Sequence, residues 1–172
     1  MFMRAALHGG FLLLFSVLQA ALVSYAAVFG VKPNLMIIYV FVVAHFCGNK
    51  AESSVVGLLF GLFLDISIGR LIGANALCCM IFGFFVTYFC ERVLGNISVI
   101  IVFFSVIILS FLYETVYYLF AFSVIGKLDM GYAVKNVIWI ESIYNGIISL
   151  PLYFIFKKLT KYLYADKGET IG

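Results

Sequence analysis

Apolar runs of membrane-spanning length follow one another along most of the chain, separated by connections of a few polar residues. A helix needs about 20 mostly apolar residues to cross a bilayer. Hydrophobic residues make up 65% of the 172 and charged residues 11%, where a soluble domain carries about 25% charged. The chain therefore reads as an all-α membrane protein: one polytopic domain over residues 1–172, with no soluble domain attached.

The runs predict six helices, over 5–29, 34–48, 53–68, 72–90, 97–126 and 136–156, and a basic tail over 157–172. The first begins after Arg4. Ser24-Tyr25-Ala26-Ala27 has the small residues of a signal-peptide cleavage site, but the apolar run continues to Phe29, long enough to span. Pro33 is placed to precede a helix start, with Asn34 as a cap. The second run, Leu35 to Cys47, is short: it reads either as a re-entrant segment or as a full span that takes in Asn34 and Gly48 at the interfaces. Gly48 to Glu52 and Lys127 to Lys135 read as polar connections. The fifth run, at about 45 Å if helical, exceeds the ~30 Å hydrocarbon core and implies tilt or a kink. Pro151 is expected to bend the sixth helix.

With the N-terminus inside, the inner segments hold Arg4, Lys50, Arg92, Lys157, Lys158, Lys161 and Lys167, and the outer ones Lys32, Arg70, Lys127 and Lys135. That bias favours both termini in the cytoplasm. An even number of spans follows, so the short second run crosses.

Ser53 to Cys90 is the most patterned stretch. Ser53, Gly57, Gly61 and Asp65 recur every fourth residue, one narrow stripe on a helix. Small residues at that spacing allow close helix approach in lipid, so the stripe should face another helix and hold Asp65 inside protein. Gly69 and Gly73 allow a tight turn before the next helix. Two further acids, Glu114 and Glu141, lie inside apolar runs. Under the six-span topology all three fall in the outer half of the membrane. An ionisable group at the centre of a span costs about 2.5–3.5 kcal/mol on insertion scales, so such groups face a cavity, a partner or each other. Glu141, Asn145 and Ser149 form a polar stripe, as do Ser110, Glu114, Tyr117 and Tyr118. Plainer roles remain open: Asp65 can pair with Arg70 or cap the next helix, and Glu114 can bond a tyrosine.

Other chemistry is weakly represented. The cysteines form no CxxC pair and read as small buried hydrophobes. Neither a metal-ligand spacing, a nucleophile elbow nor a phosphate loop is present. No enzyme, cofactor or metal site is expected. The net charge of +3 is scattered and gives no case for nucleic acid.

Gly57-Leu58-Leu59-Phe60-Gly61-Leu62-Phe63-Leu64-Asp65, followed by Gly69-x-x-x-Gly73-x-Asn75-Ala76-Leu77, resembles the MreD family of bacterial rod-shape-determining membrane proteins. Pro33-Asn34-Leu35 is similar to the family's second-helix start, and Tyr144-Asn145 with Pro151 and the basic tail to its end. The resemblance implies a place in the cell-elongation machinery of the bacterial inner membrane. It implies work with MreC, a single-span periplasmic protein, with the MreB filament, and with RodZ and peptidoglycan synthases. It also implies a fold similar to the six-helix substrate-binding subunits of energy-coupling-factor vitamin transporters.

The leading expectation is a non-enzymatic scaffold supporting rod shape and lateral peptidoglycan synthesis. It would bind an MreC-like partner, or a ligand, at an outward cavity near Asp65, Glu114, Glu141 and Asn145. Gly57, Gly61, Gly69 and Gly73 would serve helix packing and turning. Asp65→Leu is expected to spare folding while impairing partner capture. The alternative is the substrate-binding membrane subunit of a small-molecule uptake transporter. A proton-coupled carrier is a third reading.

Overall fold

The computed structural model describes residues 2–22, 30–46, 49–68, 73–93, 98–126 and 129–163. Among these the chain is built from six helices: α1 (Phe2–Leu22), α2 (Leu35–Phe46), α3 (Lys50–Ile68), α4 (Ala74–Val93), α5 (Val99–Ile125) and a composite α6. The last starts as an α turn, Met130–Ala133, passes through a π-helical turn, Val134–Ile138, and continues as Trp139–Leu163.

The shortest helix is the core. α2 has 12 residues, about 18 Å at 1.5 Å per residue, less than the hydrocarbon thickness. Every residue from Met36 to Phe46 is buried, and α2 touches each of the other five helices. A helix that is apolar all round belongs inside protein; enclosed by its neighbours, α2 need not match the bilayer itself. Around Tyr39, which is 0% exposed, Phe60 stacks at 4.4 Å, and Phe11, Phe15 and Phe156 close in from α1 and α6.

The outer helices have the reverse pattern. Ala74–Arg92, Val99–Val124 and Gly131–Leu159 are long and apolar enough to cross a membrane, and Ala6–Gln19 and Leu35–Phe46 are shorter apolar helices. On α5, Ile100, Phe104, Ile108, Leu112 and Val116 recur every fourth residue, and all are exposed. An apolar stripe turned outwards suits lipid.

Several helix ends differ from the sequence expectation, each for a local reason. α3 starts at Lys50 rather than 53, because Asn49 Oδ1 accepts from the Ala51 and Glu52 amides at 3.0 and 3.4 Å, so most of the expected loop is a first helical turn. The expected connection over 127–135 is helical from Met130, where Asp129 Oδ1 accepts from the Tyr132 amide at 3.0 Å. α4 runs on to Val93, and α6 continues past 156 to Leu163. α5 keeps near its expected span, capped by Ser98 and by Gly126 at φ 70. The 23–29 segment with its cleavage-like residues, Cys47 and Gly48, Gly69 and Arg70, Lys127 and the tail beyond 163 lie outside the described residues.

Candidate functional site

The four-residue stripe of α3 meets a matching stripe on α4. Asn75, Cys79, Gly83 and Thr87 also recur every fourth residue, and the two helices run antiparallel. Ser53 Oγ lies 2.6 Å from Thr87 Oγ1. A Cβ on Gly57 would sit 2.7 Å from the Cys79 carbonyl carbon, one on Gly61 2.6 Å from Ala76 Cα, and one on Gly83 2.7 Å from the Ser53 carbonyl oxygen. All three contacts are backbone, so the helices touch where side chains are missing. Gly83 and Thr87 were not singled out in the sequence, although the spacing that marks α3 was present there too.

Asp65 ends this seam, 1% exposed. Its Oδ2 accepts from the backbone N–H of Gly73 at 2.9 Å and of Ala76 at 3.0 Å. Its Oδ1 accepts from the Asn75 backbone at 3.1 Å and from Asn75 Nδ2 at 2.9 Å. The first turn of any helix leaves N–H groups without intrahelical partners, and a carboxylate there also meets the positive end of the helix dipole. Asp65 thus caps α4 from the preceding helix. Gly73 makes the turn possible, with φ +96, a region costly for other residues. Asn75 Oδ1 in turn accepts from the Tyr113 hydroxyl of α5, and Tyr113 is 1% exposed. One chain of hydrogen bonds therefore joins α3, α4 and α5.

The next residue, Glu114, is also buried, and its carboxyl faces that of Glu141 on α6 closely enough for the two to interact. A carboxylate only accepts, so two carboxyl groups can hydrogen-bond only when one of them carries a proton. One turn along α6, Asn145 is fully buried. Its Nδ2 donates to Ser110 Oγ on α5 at 3.3 Å, and its Oδ1 accepts from the Asn34 backbone N–H at 3.0 Å. Asn34 Oδ1 caps α2 by accepting from Ile37 at 3.3 Å. Gln19 of α1 completes the same end, accepting from the Leu35 N–H at 2.9 Å and donating to the Pro33 carbonyl at 3.1 Å.

All four expected site residues therefore lie toward one end of the bundle, in adjacent but separate networks. Asp65 bonds the turn, Glu114 and Glu141 face each other, and Asn145 anchors the start of α2. Tyr113, Asn75 and Gln19 join them without having been singled out as site residues. A lone polar residue in an apolar run was the available signal for each. A cavity opens elsewhere, between α4 and α5, and none of the four lines it. Among the described residues no cluster of His, Cys, Asp and Glu could hold a metal ion.

No curated protein matches the chain, and no solved structure does. One family model matches, described as rod shape-determining protein MreD, over residues 2–163.

Proposed function

The chain belongs to the MreD family of rod shape-determining membrane proteins, and on that premise we propose that it is a non-enzymatic scaffold of the cell-elongation machinery. In this reading it crosses the bacterial inner membrane six times, with both termini cytoplasmic, in a bundle similar to the vitamin-binding subunits of energy-coupling-factor transporters. The end of the bundle that carries Glu114, Glu141 and Asn145 faces outwards and receives the membrane-proximal part of an MreC-like single-span partner. MreB, RodZ and the peptidoglycan synthases are reached through that complex.

The observation that carries the reading is the Glu114–Glu141 pair. Two carboxyl groups face each other inside an apolar bundle, where each is costly. Hydrophobic residues would fill the same space at no such cost. A partner group that donates hydrogen bonds there gives the pair a use. Asp65 has the supporting role of holding the α3–α4 turn beside it.

Co-purification of the MreC-like protein with the full chain tests this. Gln at both Glu114 and Glu141 keeps size and hydrogen bonding but removes both acids. The double variant should fold and lose at least about fivefold in partner recovery, or roughly 1 kcal/mol. Undiminished recovery takes the acid pair out of the docking site.

A further inference from the structure

Between α4 and α5 the bundle is not closed. A cavity of about 530 Å³ follows α4 from Cys78 to Cys90 and α5 from Ser105 to Val116, roughly 18 Å of helix at 1.5 Å per residue. Its walls are Ile81, Phe85 and Phe89 on one side and Ile108, Leu112 and Val116 on the other, each 44–58% exposed. It therefore opens sideways, toward lipid. The polar groups at its floor are engaged with protein: His45 Nε2 meets Ser105 Oγ at 2.7 Å, and Nδ1 meets the Phe41 carbonyl at 2.6 Å. The surface offered is hydrocarbon.

The occupant has to be apolar and slender. A helix is about 10–12 Å across, and helices in lipid associate through small residues that let backbones approach. These walls are branched and aromatic side chains. The Phe89–Cys90 end of the groove also carries charge. Arg92 is exposed and lies three residues beyond Phe89, on the same side of α4. Its guanidinium sits 4.8 Å from the Tyr88 ring centroid, a contact that attracts the cation without cancelling its charge. Lys50 nearby is balanced by Glu91 at 2.7 Å. α5 begins just beyond, after Ser98, and the positive end of its dipole is offset by the negative end of α4, which stops at Val93, so Arg92 is the charge this end offers.

We propose that the α4–α5 groove is a binding site for an anionic glycerophospholipid of the bilayer, with one acyl chain along Phe85, Ile108 and Leu112 and its phosphate at Arg92. The bulk bilayer supplies the chain, and the basic residue selects the headgroup. The site is independent of the glutamate pair and of any protein partner.

Native mass spectrometry of the full chain in detergent, titrated with dioleoyl phosphatidylglycerol or dioleoyl phosphatidylcholine, tests the proposal. Phosphatidylglycerol should bind at the lower concentration. Arg92→Gln should raise the phosphatidylglycerol requirement about fivefold, the effect of one basic residue near a lipid surface, and leave phosphatidylcholine unchanged. Leu112→Trp should weaken both lipids by filling the groove. Phosphatidylglycerol carrying a diazirine on its acyl chain, used on the unmodified protein, should label peptides of α4 and α5 and needs no variant to fold. Equal binding of the two lipids, indifference to Arg92→Gln, or labelling confined to other helices overturns the proposal. So does displacement of the label by a co-purifying protein whose own helix crosslinks to Phe85.

Discussion

Gly61→Ala is the smallest change that tests the packing seam. The added Cβ would lie 2.6 Å from Ala76 Cα and 2.7 Å from Ala76 N, roughly 0.9 Å short of ordinary carbon–carbon contact near 3.5 Å. Both neighbours are backbone in the first turn of α4, so no side chain can swing away and the helices have to separate. Overpacking of this kind costs about 1–3 kcal/mol. Separation also stretches the four hydrogen bonds of Asp65, one turn on, and a bond to a charged group contributes about 1.5–3 kcal/mol. The gain in helix propensity offsets at most about 1 kcal/mol. A net loss of about 2–4 kcal/mol is expected. Trp139, the single tryptophan, packs on Phe111 at 4.8 Å and reports tertiary unfolding in a denaturing-detergent titration by its fluorescence. Gly10→Ala is the control, because nothing lies within 4 Å of that position; it should be neutral or slightly stabilising. Equal midpoints for the two variants would refute close α3–α4 contact at Gly61.

Three further outcomes follow from the same geometry. Asp65→Leu should destabilise the fold by at least about 3 kcal/mol in that titration, since it strands three backbone N–H groups and the Asn75 amide; unchanged stability would deny the capping role. Gly73→Ala should cost about 1–2 kcal/mol through its φ of +96 with open space around it, and amide exchange should rise at Gly73 to Ala76. Lys50→Ala should change stability by no more than about 1 kcal/mol, because its bridge to Glu91 is one-third exposed on both sides; a larger loss would mean that this end is tied more tightly than one surface pair allows.

What the sequence disclosed follows the physics of each signal. Apolar run length announced the membrane and the six helices, because a bilayer imposes its thickness on the runs that face it. The glycine stripe of α3 announced a close helix contact, because a missing side chain matters only where something approaches. Its counterpart on α4 went unmarked, because Gly83 is the one glycine among Asn75, Cys79, Gly83 and Thr87, and one glycine makes no stripe. The shortest run gave no sign in its length that α2 is the core on which the rest packs. Hydrophobicity alone does not separate a residue facing lipid from one facing protein. The expectation that Asp65→Leu spares folding also gives way, since only coordinates reveal how many donors converge on a carboxylate.

That number of donors separates the three acids. Asp65 meets four donors, so its negative charge is satisfied within the chain and nothing is left to offer. Glu114 and Glu141 meet each other, a contact rich in acceptor oxygens and short of hydrogens. A cation or an N–H group brought to that pair from another protein improves it, whereas the same group brought to Asp65 has to displace backbone amides. The aspartate therefore fixes the shape of this end of the bundle, and the glutamates are the groups that gain from a partner. A docking defect should appear first in variants of Glu114 and Glu141 that keep their melting behaviour, and a folding defect first in variants of Asp65.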